Sequence, residues 1–211
     1  HYNNQYDLAM GFGRELVRTG DARWFDLLWP LLRHTLDVDI YWSAEDRAVY
    51  SNGLFWHTEH YIPANTATHR CYSELGVGRR KRSACGGGPA NEHNYTTGLL
   101  LGYFLTGFER ARKAVTALAE WVIAMDDGSR TIFSLLDRGP SGVASQTASR
   151  NYHGPGRGSG NSINALVDAF ILTGGRRYLE KAEELIYRVV HPEDEISAHR
   201  LFDAERRWSY L

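Results

Sequence analysis

Three stretches of the chain repeat one pattern of apolar and polar positions. In each, an apolar run with helical spacing reaches a Thr-Gly pair, and an amphipathic run starts within a few residues. The first goes from Tyr6, Asp7, Leu8, Ala9 and Met10 to Arg18-Thr19-Gly20 and resumes at Asp21-Ala22-Arg23-Trp24-Phe25. The second goes from Tyr95 to Leu105-Thr106-Gly107 and resumes at Phe108-Glu109-Arg110-Ala111. The third goes from Ile163 to Leu172-Thr173-Gly174 and resumes at Gly175-Arg176-Arg177-Tyr178-Leu179. Glycine there ends a helix at little cost, because it adopts the left-handed conformation without a Cβ clash. The link that follows is short, so the second helix of each unit is expected to return antiparallel to the first.

Spacing within the runs supports helices. Ile163, Leu166, Val167, Phe170 and Ile171 form one apolar face at i, i+3, i+4, i+7 and i+8. Tyr178, Leu179, Ala182, Leu185, Ile186 and Val189 form another, with Glu180, Lys181, Glu183 and Glu184 outside and His191-Pro192 ending the helix. Val115, Leu118, Ala119, Val122 and Ile123 mark a third between Ala111 and Met125. The expected fold class is all-α, an array of antiparallel helical hairpins built from an internal repeat. Residues 1–211 are expected to form a single helical-hairpin domain. The start at His1 and the abrupt end at Ser209-Tyr210-Leu211 suggest a fragment of a longer protein.

Two long connectors, 41–92 and 128–160, hold most of the Gly and much of the His, Asn and Arg. Connectors of that length carry function or short elements of their own. Asp39 to Asn52 is a candidate for a short helix or strand pair, and Ser129 to Leu136 for a strand. Aligning the units on their Thr-Gly pairs places Asp7, Asn94 and Asn161 each thirteen residues before the glycine, at the expected start of a first helix. Asp and Asn there are N-caps on one reading, and the rim of a cavity on the other.

Composition changes this picture little. Hydrophobic content is 43% and charged content 23%, as in ordinary globular domains. A net charge of −1 gives no field that would draw the chain to nucleic acid or an acidic membrane. No apolar run approaches the roughly 18 residues of a membrane span. No nucleic-acid partner and no membrane span are therefore expected. Trp24, Trp29 and Trp121 sit at apolar helical spacing and read as core, whereas Trp42 and Trp56 lie in polar connectors, where an indole can stack on a sugar. Cys71 and Cys85 have neither CxxC nor metal spacing, so both a disulfide and two free thiols stay open. The compartment stays open too, with a periplasmic or extracellular one favoured.

Four polar clusters could carry chemistry: Trp56-His57-Thr58-Glu59-His60-Tyr61, Thr68-His69-Arg70-Cys71-Tyr72, Asn91-Glu92-His93-Asn94-Tyr95, and Arg150 to Gly158 with Asn151, Tyr152, His153 and Arg157. The run Gly154 to Gly160 leads into a helix and reads as a flexible loop, or as a backing for an anion with Arg157. It is neither a Walker nor a Rossmann fingerprint. Arg79-Arg80-Lys81-Arg82 reads as a solvated loop, with a polyanion contact as the alternative.

The repeated units around Thr19-Gly20, Thr106-Gly107 and Thr173-Gly174, with the polar loop Asn91-Glu92-His93-Asn94-Tyr95, resemble the (α/α) toroid or six-hairpin superfamily of carbohydrate-active proteins. That group includes polysaccharide lyases and glycoside hydrolases. The resemblance implies that the hairpins are part of a toroid and that the partner is an oligo- or polysaccharide, most simply an acidic one. It also implies a lyase set of Asn, His, Tyr and Arg. β-Elimination on a uronic acid needs donors that neutralise the carboxylate and a Tyr or His that moves the C5 proton. His93, Tyr95, Tyr152 and Glu92 are the catalytic candidates. Asn91, Asn94, Arg157, His153, His60, Glu59 and Trp56 are the substrate-binding candidates. Hydrolysis needs two carboxyl groups flanking the bond, for which Glu59 and Glu92 are the candidates and Asp7 a third. No cofactor is expected. The metal alternative is a zinc or calcium ion at His57, His60 and His69, whose spacing is neither HExxH nor HxxEH. A non-catalytic helical scaffold that binds glycan or protein is the competing class.

Overall fold

The computed structural model describes residues 6–45, 48–55, 88–130, 134–136, 139–145, 148 and 156–190. The described residues form six α-helices and no named strand: α1 (Leu8–Thr19), α2 (Arg23–His34), α3 (Thr97–Thr106), α4 (Glu109–Asp126), α5 (Arg157–Thr173) and α6 (Arg176–Val189). A π-helical turn, Thr35–Asp39, extends α2, and a 3-10 turn, Asn91–His93, precedes α3. The chain is all-α over these residues, as the spacing predicts.

The Thr-Gly pairs have one structural cause in all three units. Gly20, Gly107 and Gly174 take φ of 67°, 68° and 69° and send their N–H groups back to Leu16, Tyr103 and Phe170. The threonine before each is a two-sided clasp. The hydroxyls of Thr19, Thr106 and Thr173 donate to the carbonyls of Glu15, Gly102 and Ala169. They accept in turn from the N–H groups of Asp21, Phe108 and Gly175, each at 3.2 Å. A helix end that lacks in-helix partners is thereby satisfied by its own residues.

Each helix packs on its successor, and α1 also packs on α3. One apolar core joins them, with Leu28, Leu32, Leu36, Leu118, Trp121, Leu166 and Leu185 almost fully buried. Glycines let helices approach closely: a Cβ on Gly13 would meet Leu101 at 2.7 Å, and one on Gly102 would meet Leu32 at 2.6 Å. The end of α4 is pinned by a buried ion cluster. Asp126, fully buried, faces Lys181 at 2.6 Å and Arg188 at 2.9 Å, and Glu184 pairs with both cations. Ala144 N–H donates to the Asp126 carboxylate and Ser141 N–H to its carbonyl, which ties the following connector to α4 and α6.

Several expectations change. Helix α5 begins at Arg157, four residues before the expected start at Asn161. Its buried side is Ser162, Ala165, Leu166, Asp168 and Ala169, while Ile171 is exposed. Small side chains win that face because α5 has other helices on both flanks. Lys181 does not lie outside, since its side chain is drawn in by Asp126. The stretch from Asp39 to Asn52 holds the end of the π-helical turn, and an isolated antiparallel bridge pairs Ile40 with Leu54. Turns, not a strand, occupy the described part of Ser129 to Leu136. Trp24 and Trp29 are only partly buried, whereas Trp121 is core.

Candidate functional site

The 3-10 turn Asn91–His93 lies along the first turns of α5. Asn161 Nδ2 donates to the Glu92 carbonyl at 2.8 Å, and the Arg157 guanidinium reaches Glu92 Oε2 at 3.5 Å. Gly158 makes this approach feasible. A Cβ there would fall 2.4 Å from Asn91 Nδ2, so any larger residue would displace the Asn91 side chain. The Gly154 to Gly160 run is therefore helix from Arg157 onward, which corrects the loop reading for that half.

Tyr95 follows the turn. Its hydroxyl sits 3.4 Å from His93 Nδ1, and the two rings meet edge-on with centroids 6.0 Å apart. Tyr95 is half-buried, and burial pushes its phenol up to about 12, against the opposing pull of the Arg157 guanidinium and a hydrogen bond with Asn161. At neutral pH it holds its proton. His93 is only 6% exposed, so Tyr95 is the outer member of the pair.

The structure thus brings together Asn91, Glu92, His93, Tyr95 and Arg157. Asn94 departs from them: it is buried, and its Nδ2 donates to the Leu118 carbonyl of α4 at 3.4 Å. Its amide is used in packing rather than carboxylate recognition. Trp56, Glu59, His60, Tyr152 and His153 lie outside the described residues, as do His57, His69, Cys71, Cys85 and Arg79 to Arg82. Trp42 is 38% exposed, but its indole N–H donates to the Leu36 carbonyl and Arg110 lies 5.9 Å from its ring centroid. Part of the surface expected to stack on sugar already has an occupant.

The shared register of Asp7, Asn94 and Asn161 resolves into three different roles. Asp7 is an N-cap: it takes φ 45° and its Oδ1 accepts from Met10 N–H. Its Oδ2 also accepts from Gly98 N–H of α3 at 2.9 Å. Asn94 caps the end of the 3-10 turn, and Asn161 lies inside α5, so the N-capping reading fails for both. The carboxylate that sequence reasoning missed is Asp168. It accepts from the hydroxyls of Thr96 at 2.6 Å and Thr97 at 2.9 Å. Asp7 and Asp168 thus hold the start of α3 from two sides. Burial raises the pKa of each above the usual carboxylate range, and the charge of Asp168 adds to the rise at Asp7. The available signal is a lone carboxylate inside the apolar run Ala165 to Leu172.

Three buried polar atoms near the start of α5 have no hydrogen-bond partner: Asn91 Nδ2, Arg157 Nε and Ser162 Oγ. Cavities bounded by described residues lie elsewhere. One, of about 750 Å³, is bounded by Pro140, Ala148, Glu180, Glu183, Glu184, Tyr187 and Arg188. Another, of about 410 Å³, is bounded by Asp127, Ser129, Ser134 and Leu135. Among the described residues that bound them, none is a candidate. Among the described residues no three metal-ligating side chains group together, and no helix is long and apolar enough to cross a membrane.

No family model, curated protein or solved structure matches this chain. The functional reading therefore rests on the residues themselves.

Proposed function

We propose that the chain is part of a carbohydrate-active enzyme of polysaccharide-lyase type, acting by β-elimination on a uronic-acid-containing glycan. The observation that carries this reading is the Tyr95–His93 contact beside two cation or amide donors, Arg157 and Asn91, with unpartnered N–H groups. The proposed architecture is an array of antiparallel hairpins forming part of an (α/α) toroid. Contacts around the first unit support it: Phe12 meets Trp24, while α1 and α3 run together from Asp7 beside Gly98 to Gly13 beside Leu101.

The chemistry follows from burial. Tyr95 is the group a substrate reaches, and His93 acts through it. The phenol proton moves to His93 Nδ1, and the phenolate takes the C5 proton. The C4–O bond breaks as the C4–C5 double bond forms, and the regenerated phenol protonates the leaving oxygen. His93 then returns its proton, so the cycle closes without a cofactor. Arg157 and Asn161 favour the phenolate and burial opposes it, so the step needs a C5 proton made more acidic by neutralisation of the substrate carboxylate, the task of Asn91 and Arg157 in this reading.

Incubation of the protein with a panel of uronic-acid polymers tests the reading through the ultraviolet absorbance of the conjugated product. Absorbance growth that Tyr95→Phe abolishes supports it. New reducing ends without absorbance transfer the assignment to hydrolysis through Glu92 and Glu59, and absence of any product favours a binding scaffold.

A further inference from the structure

We propose that the N-terminus of α5, with Asn91, Arg157 and Ser162, binds one oxyanion of carboxylate or sulfate type. This rests on the lyase reading and deepens it by naming the group on the glycan that the site holds, and Ser162 is the observation it adds. Asn91 is 8% exposed, yet its Nδ2 has no partner. Ser162 is fully buried, and its hydroxyl has none. Arg157 leaves Nε unpaired while its Nη2 engages Glu92.

Each of these three atoms can donate a hydrogen bond. A cluster of idle donors recognises an acceptor, and buried donors without one carry a desolvation penalty that a ligand removes. Their placement is coherent. Asn91 Nδ2 lies against Gly158 in the first turn of α5, and Ser162 follows Gly158 by four residues, on the same helix face. The helix has 17 residues, and its N-cap, Gly156, makes no side-chain hydrogen bond to the first turn. The positive end of the helix dipole and the first-turn N–H groups therefore add to the same attraction. Glu92 is the opposing charge. It takes one arm of the Arg157 guanidinium and leaves Nε, so the site is suited to one oxyanion group rather than to a cluster of charges. Asp168, the one carboxylate on α5, lies six residues beyond Ser162, roughly 9 Å along the axis at the usual helical rise.

The test uses the intact chain, with sodium sulfate and sodium glucuronate as separate probes and sodium chloride at matched ionic strength as control. Calorimetry reads affinity. Nitrogen-edited NMR reads the amides of Gly158 and Ser159 and the side-chain amide of Asn91. Saturable binding of either probe, with shifts confined to these groups, is expected, and the preferred probe identifies the oxyanion. Arg157→Lys and Ser162→Ala should each weaken binding about tenfold or more. Ser162→Ala should stay folded, because its hydroxyl holds nothing in the free protein. Shifts that chloride reproduces, or an affinity that neither substitution changes, overturn the proposal. Binding needs no turnover. Saturable binding without an elimination product therefore sinks the lyase reading and leaves the anion site standing. Elimination with an unchanged KM in Ser162→Ala does the reverse.

Discussion

Replacing Gly98 by alanine sets two effects of opposite sign against each other. Alanine favours a helix interior over glycine by about 1 kcal/mol. At Gly98, however, the new Cβ would lie 2.3 Å from Asp7 Oδ1, 2.5 Å from Met10 N and 2.8 Å from Ala9 Cβ. The last two belong to the first turn of α1, which cannot swing aside as a side-chain tip would. Overpacking of this kind costs about 1–3 kcal/mol. Parting α1 from α3 also breaks the Asp7 carboxylate bond to Gly98 N–H, worth about 1.5–3 kcal/mol for a charged acceptor. Steric and hydrogen-bond losses exceed the propensity gain, and the expected net effect is a loss of about 2–4 kcal/mol. A Cβ added at Gly11 in α1 or at Gly160 in α5 would meet nothing within 4 Å, so alanine there should stabilise by roughly 0.5–1 kcal/mol. Urea unfolding of the three variants decides the matter through shifts in midpoint at constant m-value. If Gly98→Ala unfolds at the same urea concentration as Gly11→Ala, the Asp7–α3 contact is wrong.

Three further outcomes are expected. Asp126→Asn leaves Lys181 and Arg188 without their buried counter-charge and should cost about 3–5 kcal/mol in urea unfolding, with partial recovery when Arg188→Met is added. Asp168 has a folded pKa raised by burial, so its stabilising contribution is complete below pH about 4 and is lost as pH rises through the raised value. Asp168→Asn should therefore flatten the stability–pH curve over that window in melts at stepped pH, and an unchanged slope would count against the burial argument. Tyr95→Phe should delete the phenol titrating at about 12 from a spectrophotometric titration and leave the other tyrosines in place.

The helices are legible in the sequence because their signals are local. Thr19-Gly20, Thr106-Gly107 and Thr173-Gly174 each complete their own turn within a few residues, so the sequence carries the whole instruction. The candidate site is legible only in part. Asn91, Glu92, His93 and Tyr95 are neighbours in the chain, and Arg157 lies in an obvious glycine-rich run. What stays hidden depends on tertiary contact. Asn94 looks the same as Asn91 in the sequence, but α4 takes its amide. Ser162 and Asp168 are buried off the face of α5 that periodicity marks from Ile163 to Ile171, because a helix held between neighbours buries small residues as readily as large ones. Lys181 reads as surface because its partner, Asp126, lies on another helix.

The threonine clasp has a consequence for how the chain tolerates change. A joint stitched by its own hydroxyl and its own glycine asks nothing of the rest of the molecule. Each helix pair can therefore be copied, shortened or recombined without redesigning its corner, and sequence novelty is free to accumulate in the long connectors. Such a chain diversifies its chemistry at one set of seams while the other set stays fixed, a division of labour written into three dipeptides.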